Sequence, residues 1–302
     1  MLRSVRVAAK HFTDDDCWTL AASLAFYTLF ALPPLLYLLT VVISIGMSSV
    51  YEVEEARDRA REFLQSQASQ LIGNRAAAIE VGSMLELAIH KSGVWWKTAI
   101  SLVGVFLGAT GLTSALQSSL NRVWKVKPDP SKGFALRLVI KRFLSLAMIL
   151  GFGFVLLVSF LINSLLAILG QYAAVKLGIE GLLPAVVNHG LTFCTGLVFF
   201  AGVLKFMPDA MLSTKKALFG GLITVVLFTI GRAILFLYFK YAEPAGQLGS
   251  AAGSIAIILL WIYYSSVILL FGAEITYATA KIEGEKMAPV AGAVKVKEHV
   301  VH

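Results

Sequence analysis

GSIAIILLWIYYSSVILLFGAEITY, residues Gly253–Tyr277, contains one charged side chain, Glu274, in a run long enough to cross a bilayer. A helix rises about 1.5 Å per residue and the hydrocarbon core is about 30 Å thick, so roughly 20 apolar residues suffice. Runs of the same kind precede it at Leu20–Gly46, Val94–Thr113, Phe143–Gly170, Val187–Val203 and Ala217–Phe239. The 302 residues are 58% hydrophobic and 15% charged, whereas charged residues make up about a quarter of an ordinary soluble domain. A soluble α/β core would interleave short apolar runs with charged helix faces; here the apolar residues come in blocks. The expected fold is therefore all-α. It is a polytopic membrane protein of six transmembrane helices in a single domain over residues 1–281, followed by a disordered cytoplasmic tail over 282–302.

The net charge is +8, and its placement matters more than its size. Arg3, Arg6 and Lys10 precede the first run, and Arg122, Lys125, Lys127, Lys132, Arg137, Lys141 and Arg142 lie between the second and third. Lys205, Lys215 and Lys216 separate the fourth and fifth runs, and Lys281, Lys286, Lys295 and Lys297 follow the sixth. The opposite side holds fewer, so the positive-inside rule puts both termini in the cytoplasm. The dense stretch 121–142 reads as a topology determinant whose Lys125, Lys141 and Arg142 contact anionic lipid headgroups. Nucleic acid is not expected as a partner, because Trp124 and Phe134 are the only aromatics among these charges and no RNA-binding module accompanies them. Membrane lipids are the expected partners, and the sequence leaves the oligomeric state open.

Cys17 and Cys194, the two cysteines, indicate no disulfide framework and read as structural. Asp14, Asp15 and Asp16 ahead of a run too long for a signal-peptide core predict that the first span is retained. Residues 51–92 form the one large hydrophilic insertion, on the outer side. There Val53, Ala56, Ala60, Phe63, Leu64, Leu71 and Ile72 recur at helical spacing, with acidic and basic residues on the other face. After Gly73 and Asn74 a second helical pattern runs from Ala76 to Ile89. The expectation is an amphipathic hairpin that packs on the bundle or covers a route through it.

A few polar positions stand out because lipid makes them expensive. Arg232, deep in an otherwise apolar run, must face protein, water or a bound anion, with snorkelling to the outer headgroups as the structural alternative. Glu274, near the inner end of the last run, is a candidate ion-coupling carboxylate. Its partners are sought in the inner basic loop, in Lys281 or in buried hydroxyls, since Arg232 lies at a different depth. Pro33 and Pro34 interrupt the first run and free carbonyls that neighbours or a cavity must satisfy. Together with Tyr27 and Asn188 they are candidate substrate-binding positions. Gly104, Gly108 and Gly111 form a close-packing surface. No HExxH, CxxC, GxSxG or phosphate-binding glycine loop is present, and the scattered histidines offer no two-metal site. Neither an enzyme, a cofactor nor a metal site is expected.

The segments AASLAFYTLFALPPLL (Ala21–Leu36), GLTSALQSSLNRVW (Gly111–Trp124), FMPDAMLSTKKALFGGLITVVLFTIGRAILFLYF (Phe206–Phe239) and GSAAGSIAIILLWIYYSSVILLFGAEITYA (Gly249–Ala278) resemble the bacterial inner-membrane YihY/BrkB family. With their spacing they cover nearly the whole chain up to Lys281. Many members carry the older name ribonuclease BN, which the missing metal ligands do not support. The resemblance implies a six-helix inner-membrane protein linked with envelope biology. It favours a transporter or flippase-like activity on an anionic or amphipathic envelope molecule such as a lipid. A non-transporting membrane scaffold is the alternative, and a tRNA-processing ribonuclease a remote one.

Overall fold

The computed structural model describes residues 2–48, 51–72, 82, 95–129, 182–242, 250–284, 288–290 and 293–296. The third apolar run, most of the second half of the 51–92 insertion, Lys141 and Arg142 lie outside these residues. Seven helices are described: α1 (Leu2–Asp14), α2 (Cys17–Met47), α3 (Val53–Ile72), α4 (Trp95–Val123), α5 (Leu182–Phe206), α6 (Thr214–Ala242) and α7 (Ser250–Ile282). Two short strands, β1 (Val126–Pro128) and β2 (Ala293–Lys295), pair antiparallel.

The apolar runs at 20–46, 94–113, 187–203, 217–239 and 253–277 fall within α2, α4, α5, α6 and α7 respectively, apart from Val94. Among the described residues Thr214–Tyr238 and Ile255–Ile282 are long and apolar enough to cross a membrane, and Cys17–Pro33 and Thr192–Phe206 form shorter apolar stretches. Along α6, Leu218, Leu222, Val226, Ile230 and Ile234 recur every fourth residue and are all exposed. In water such a stripe would be a liability; in hydrocarbon it is the surface that meets lipid.

Helix α7 is central, packing against α1, α2, α4 and α6. Its seam with α6 is a reciprocal pair of glycine–threonine contacts. A methyl group on Gly220 would overlap the Thr276 hydroxyl, and one on Gly272 would overlap that of Thr224. Each threonine satisfies its own hydroxyl on the carbonyl four residues back, Thr224 on Gly220 at 2.7 Å and Thr276 on Gly272 at 2.6 Å. No polar hydrogen is therefore left bare inside the seam.

Pro33 and Pro34 do not interrupt the first run, contrary to expectation, because α2 is continuous from Cys17 to Met47. Pro34 has no N–H to offer the Phe30 carbonyl. That carbonyl faces Gly108 of α4, whose missing side chain lets the two helices close over the turn. The same glycine face meets Tyr27 at Gly111. Of the two ways expected for satisfying the freed carbonyl, neighbours or a cavity, the turn shows neighbouring backbone.

Helix α3 buries Ala56, Ala60, Phe63 and Leu64, one stripe at helical spacing, in a cluster with Ile43, Met47, Leu235, Ile257 and Ile258. The first half of the 51–92 insertion thus packs on the bundle, although Val53, assigned to that stripe, is exposed. At the other end Trp124, Leu204, Met207 and Leu270 form a second core.

The segment expected to be a disordered tail is in part bound to the bundle. Residues Ala293–Lys295 pair with Val126–Pro128, the Val296 N–H donates to the Lys125 carbonyl, and the Met211 and Val290 N–H groups exchange bonds with Ala288 and Asp209 carbonyls. An all-α expectation misses this ribbon because three-residue strands carry no periodicity.

Candidate functional site

Where α1 meets the C-terminal part of α7, several titratable side chains converge out of solvent. Helix α1 is amphipathic, and Ser4, Ala8 and Phe12 form its buried face against α7. Continued by three residues, that face carries Asp15 into the interior at 3% exposure. Asp16 follows in the left-handed region at φ 57°, which aspartate tolerates, and turns the chain into α2. The Thr19 hydroxyl donates to its carboxylate at 2.9 Å. Cys17 then starts α2 with its thiol fully buried.

Glu274 arrives from α7 with no exposed surface. The Cys17 thiol lies 3.7 Å from its Oε1 and His11 Nδ1 lies 3.8 Å from its Oε2. The Asp15 carboxyl is also within hydrogen-bond reach. Lys125, in the left-handed region just beyond α4, binds the other Asp15 oxygen, Oδ1, at 2.5 Å. Glu274 Oε2, Asp15 Oδ2, His11 Nδ1 and Trp124 Nε1 are buried and have no hydrogen-bond partner among the described residues. Tyr277 closes the cluster, its ring 5.9 Å from that of His11 and 6.0 Å from that of Trp124. Burial holds the His11 pKa below its ordinary value, and Lys281 and Lys125 push it the same way while Asp15 and Asp14 oppose them. His11 is therefore neutral at pH 7.

A cavity of about 530 Å³ reaches this cluster, lined by Asp14, Asp15, Asn121, Arg122, Lys125 and Lys127 among others. Behind it Asp209, in the α5–α6 connection, accepts from Gln117 Nε2 and Asn121 Nδ2 at 2.8 Å each, and its own N–H donates to Asn121 Oδ1 at 2.7 Å. This clamp fixes the end of α4 from which Lys125 projects.

Of the positions singled out in the sequence, Glu274 and Lys125 meet in this cluster. Lys281 does not pair with Glu274; its ammonium sits 5.8 Å from the centre of the Tyr277 ring. Arg232 is half-buried on α6, beside Gly231, which abuts Tyr264. Tyr264 precedes Glu274 by ten residues, or roughly 15 Å of helix, so the two charges are at different depths. Tyr27 is 42% exposed on α2, and Pro33 is half-buried two turns further on. Neither joins the cluster. Asn188 belongs to α5, and Pro34 to α2. Sequence reasoning missed Asp15, His11 and Cys17 as site residues. The amphipathic period of α1 contained the signal for Asp15, three residues past Phe12 on the apolar face.

The family model for virulence factor BrkB matches residues 8–293. This chain belongs to the BrkB family. Among curated relatives of this BrkB chain, a UPF0761 membrane protein of Alkalilimnicola ehrlichii is 27% identical over 90% of this chain and 57% of its own. One of Legionella pneumophila is 24% identical over 91% and 61%, and one of Pseudomonas aeruginosa is 28% identical over 89% and 60%. The BrkB chain spans about three fifths of the length of these relatives. No solved structure matches it. With relatives named as membrane proteins and an exposed apolar stripe on α6, the BrkB chain is a mostly helical membrane protein.

Proposed function

We propose that this BrkB-family protein is an inner-membrane transporter of the flippase kind, moving an anionic or amphipathic envelope molecule, with Glu274 as its ion-coupling group. The reading takes the six apolar runs as spans and both termini as cytoplasmic. The observation that carries it is Glu274 itself. A carboxylate with no exposed surface, on the central helix of a membrane bundle and touched by His11, Cys17 and Asp15, is costly to maintain for packing alone. Ion coupling gives such a group a purpose, because its charge changes during a cycle.

Arg232 supplies the complementary element, a half-buried cation on α6 that neutralises an anionic headgroup part-way along the route. Tyr27, Pro33, Pro34 and Asn188 remain as proposed lining, and Lys141 and Arg142 as headgroup contacts on the inner side, whereas Lys125, expected as a third such contact, is taken up by Asp15. No catalytic chemistry is assigned. The test is flux of fluorescent anionic lipid in proteoliposomes. Glu274→Gln and Arg232→Gln are each expected to abolish it in folded protein, and flux unchanged by Glu274→Gln would remove the coupling role. A scaffold reading draws on the ribbon that ties β2 to β1 beside exposed Arg122 and Lys127; it predicts no flux at all.

A further inference from the structure

We propose that Asp15 and Glu274 together hold one exchangeable proton, delivered from the cytoplasmic side through the cavity that Asp15 lines. The inference deepens the coupling role given to Glu274 by naming the ion, and it rests on that reading for its purpose, though not for its chemistry.

Each carboxyl has one oxygen already engaged, Asp15 Oδ1 by Lys125 and Glu274 Oε1 by the Cys17 thiol. The remaining oxygens, Asp15 Oδ2 and Glu274 Oε2, are both buried and lack a donor among the described residues. Two carboxylates within hydrogen-bond reach of each other are both acceptors when ionised, and a single proton between them turns the contact into a hydrogen bond. Charge counting agrees. With one proton the two acids carry a single negative charge, which Lys125 balances; without it one buried charge is left uncompensated. The protons then come off in steps that belong to the pair rather than to either residue.

A metal cation is the obvious competitor for two converging acids. Among the described residues, however, no group of three His, Cys, Asp or Glu side chains is placed to hold one. Lys125 already occupies the position of a counter-cation beside Asp15. The proton comes from water in the cavity of about 530 Å³, whose lining includes Asp14, Asp15 and Lys125, and returns the same way. Other titratable and charged groups around the pair are His11 and Asp14 of α1, Cys17 of α2, Arg122 of α4, and Tyr277 and Lys281 of α7. Neutral His11, with Nδ1 unpartnered 3.8 Å from Glu274 Oε2, is placed to accept a hydrogen bond from the protonated pair in one tautomer, or to donate one to the pair as it ionises in the other.

The experiment is difference infrared spectroscopy of the full chain in phosphatidylglycerol–phosphatidylethanolamine liposomes across an acid-to-alkaline titration, in H2O and D2O. A protonated-carboxyl carbonyl band that shifts in D2O is expected at neutral pH. It should be lost in Glu274→Gln and in Asp15→Asn, moved in Glu274→Asp, and retained in Asp14→Asn. Size-exclusion profiles identify folded variants, and Glu274→Asp keeps the test open where the neutral variants do not fold. Absence of the band, or its persistence in both neutral variants, overturns the proposal. So does its disappearance on adding sodium at constant pH, which would assign the site to a metal cation. A band that behaves as expected in a chain without flux keeps the proton site and removes the transport reading.

Discussion

Lys125 is the residue on which the buried cluster depends electrostatically. Its ammonium meets Asp15 Oδ1 at 2.5 Å with both side chains largely withdrawn from water. Removing one partner of a buried ion pair leaves a charge with nothing to offset its desolvation, at a cost of about 3–5 kcal/mol. Lys125→Ala is expected to lower stability by that order in detergent unfolding, whereas Lys127→Ala, on an exposed side chain, should leave it within about 0.5 kcal/mol. His11 supplies a pH dependence of known sign. Its pKa is held below the ordinary histidine value of 6.5, by burial first and by Lys281 next. Between the lowered folded value and 6.5 the unfolded chain binds more protons than the folded one, so stability rises with pH across that window. The stability is present above 6.5 and is lost as the pH falls. His11→Asn should flatten this limb of the unfolding midpoint against pH, and an unchanged slope would assign the acid sensitivity elsewhere in the cluster.

At the scale of elements, the α6–α7 seam makes the sharpest prediction. Gly220→Ala drives a methyl into the Thr276 hydroxyl, and overpacking of this kind costs about 1–3 kcal/mol. Adding Thr276→Ala in the same chain should recover part of the loss; thermal unfolding of the single and double variants measures the coupling. Much at this scale was legible in the sequence. Length and hydropathy located α2, α4, α5, α6 and α7, and the stripe Ala56, Ala60, Phe63, Leu64 predicted the packed face of α3. The proline pair announced the freed Phe30 carbonyl, because backbone hydrogen bonding is local information, but not which neighbour covers it, because the contact with Gly108 is tertiary. Glu274 stood out as a lone acid in an apolar helix. Its neighbours did not, because Cys17 and Glu274 are 257 positions apart and nothing in either local pattern announces the other.

For the whole molecule, the end of the bundle that carries the β1–β2 ribbon is held by connections that are short in space and long in sequence. Asp209 joins the α5–α6 connection to α4 through Gln117 and Asn121, and its carbonyl receives the Val290 N–H from the C-terminal segment. Asp209→Ala leaves two buried amides without their acceptor and should loosen both attachments at once. Trypsin cleavage after Lys295, slow while β2 is paired with β1, is expected to accelerate severalfold in that variant; an unchanged rate would show that the ribbon holds without the clamp. The glycine–threonine seam has a mechanical meaning as well. A slip of one helical turn, about 5.4 Å, would bring Thr224 opposite Ile268 or Thr276 in place of Gly272, and neither leaves room for it. Helices α6 and α7 are thus keyed against axial sliding, so a covalent tether between them should leave flux unchanged.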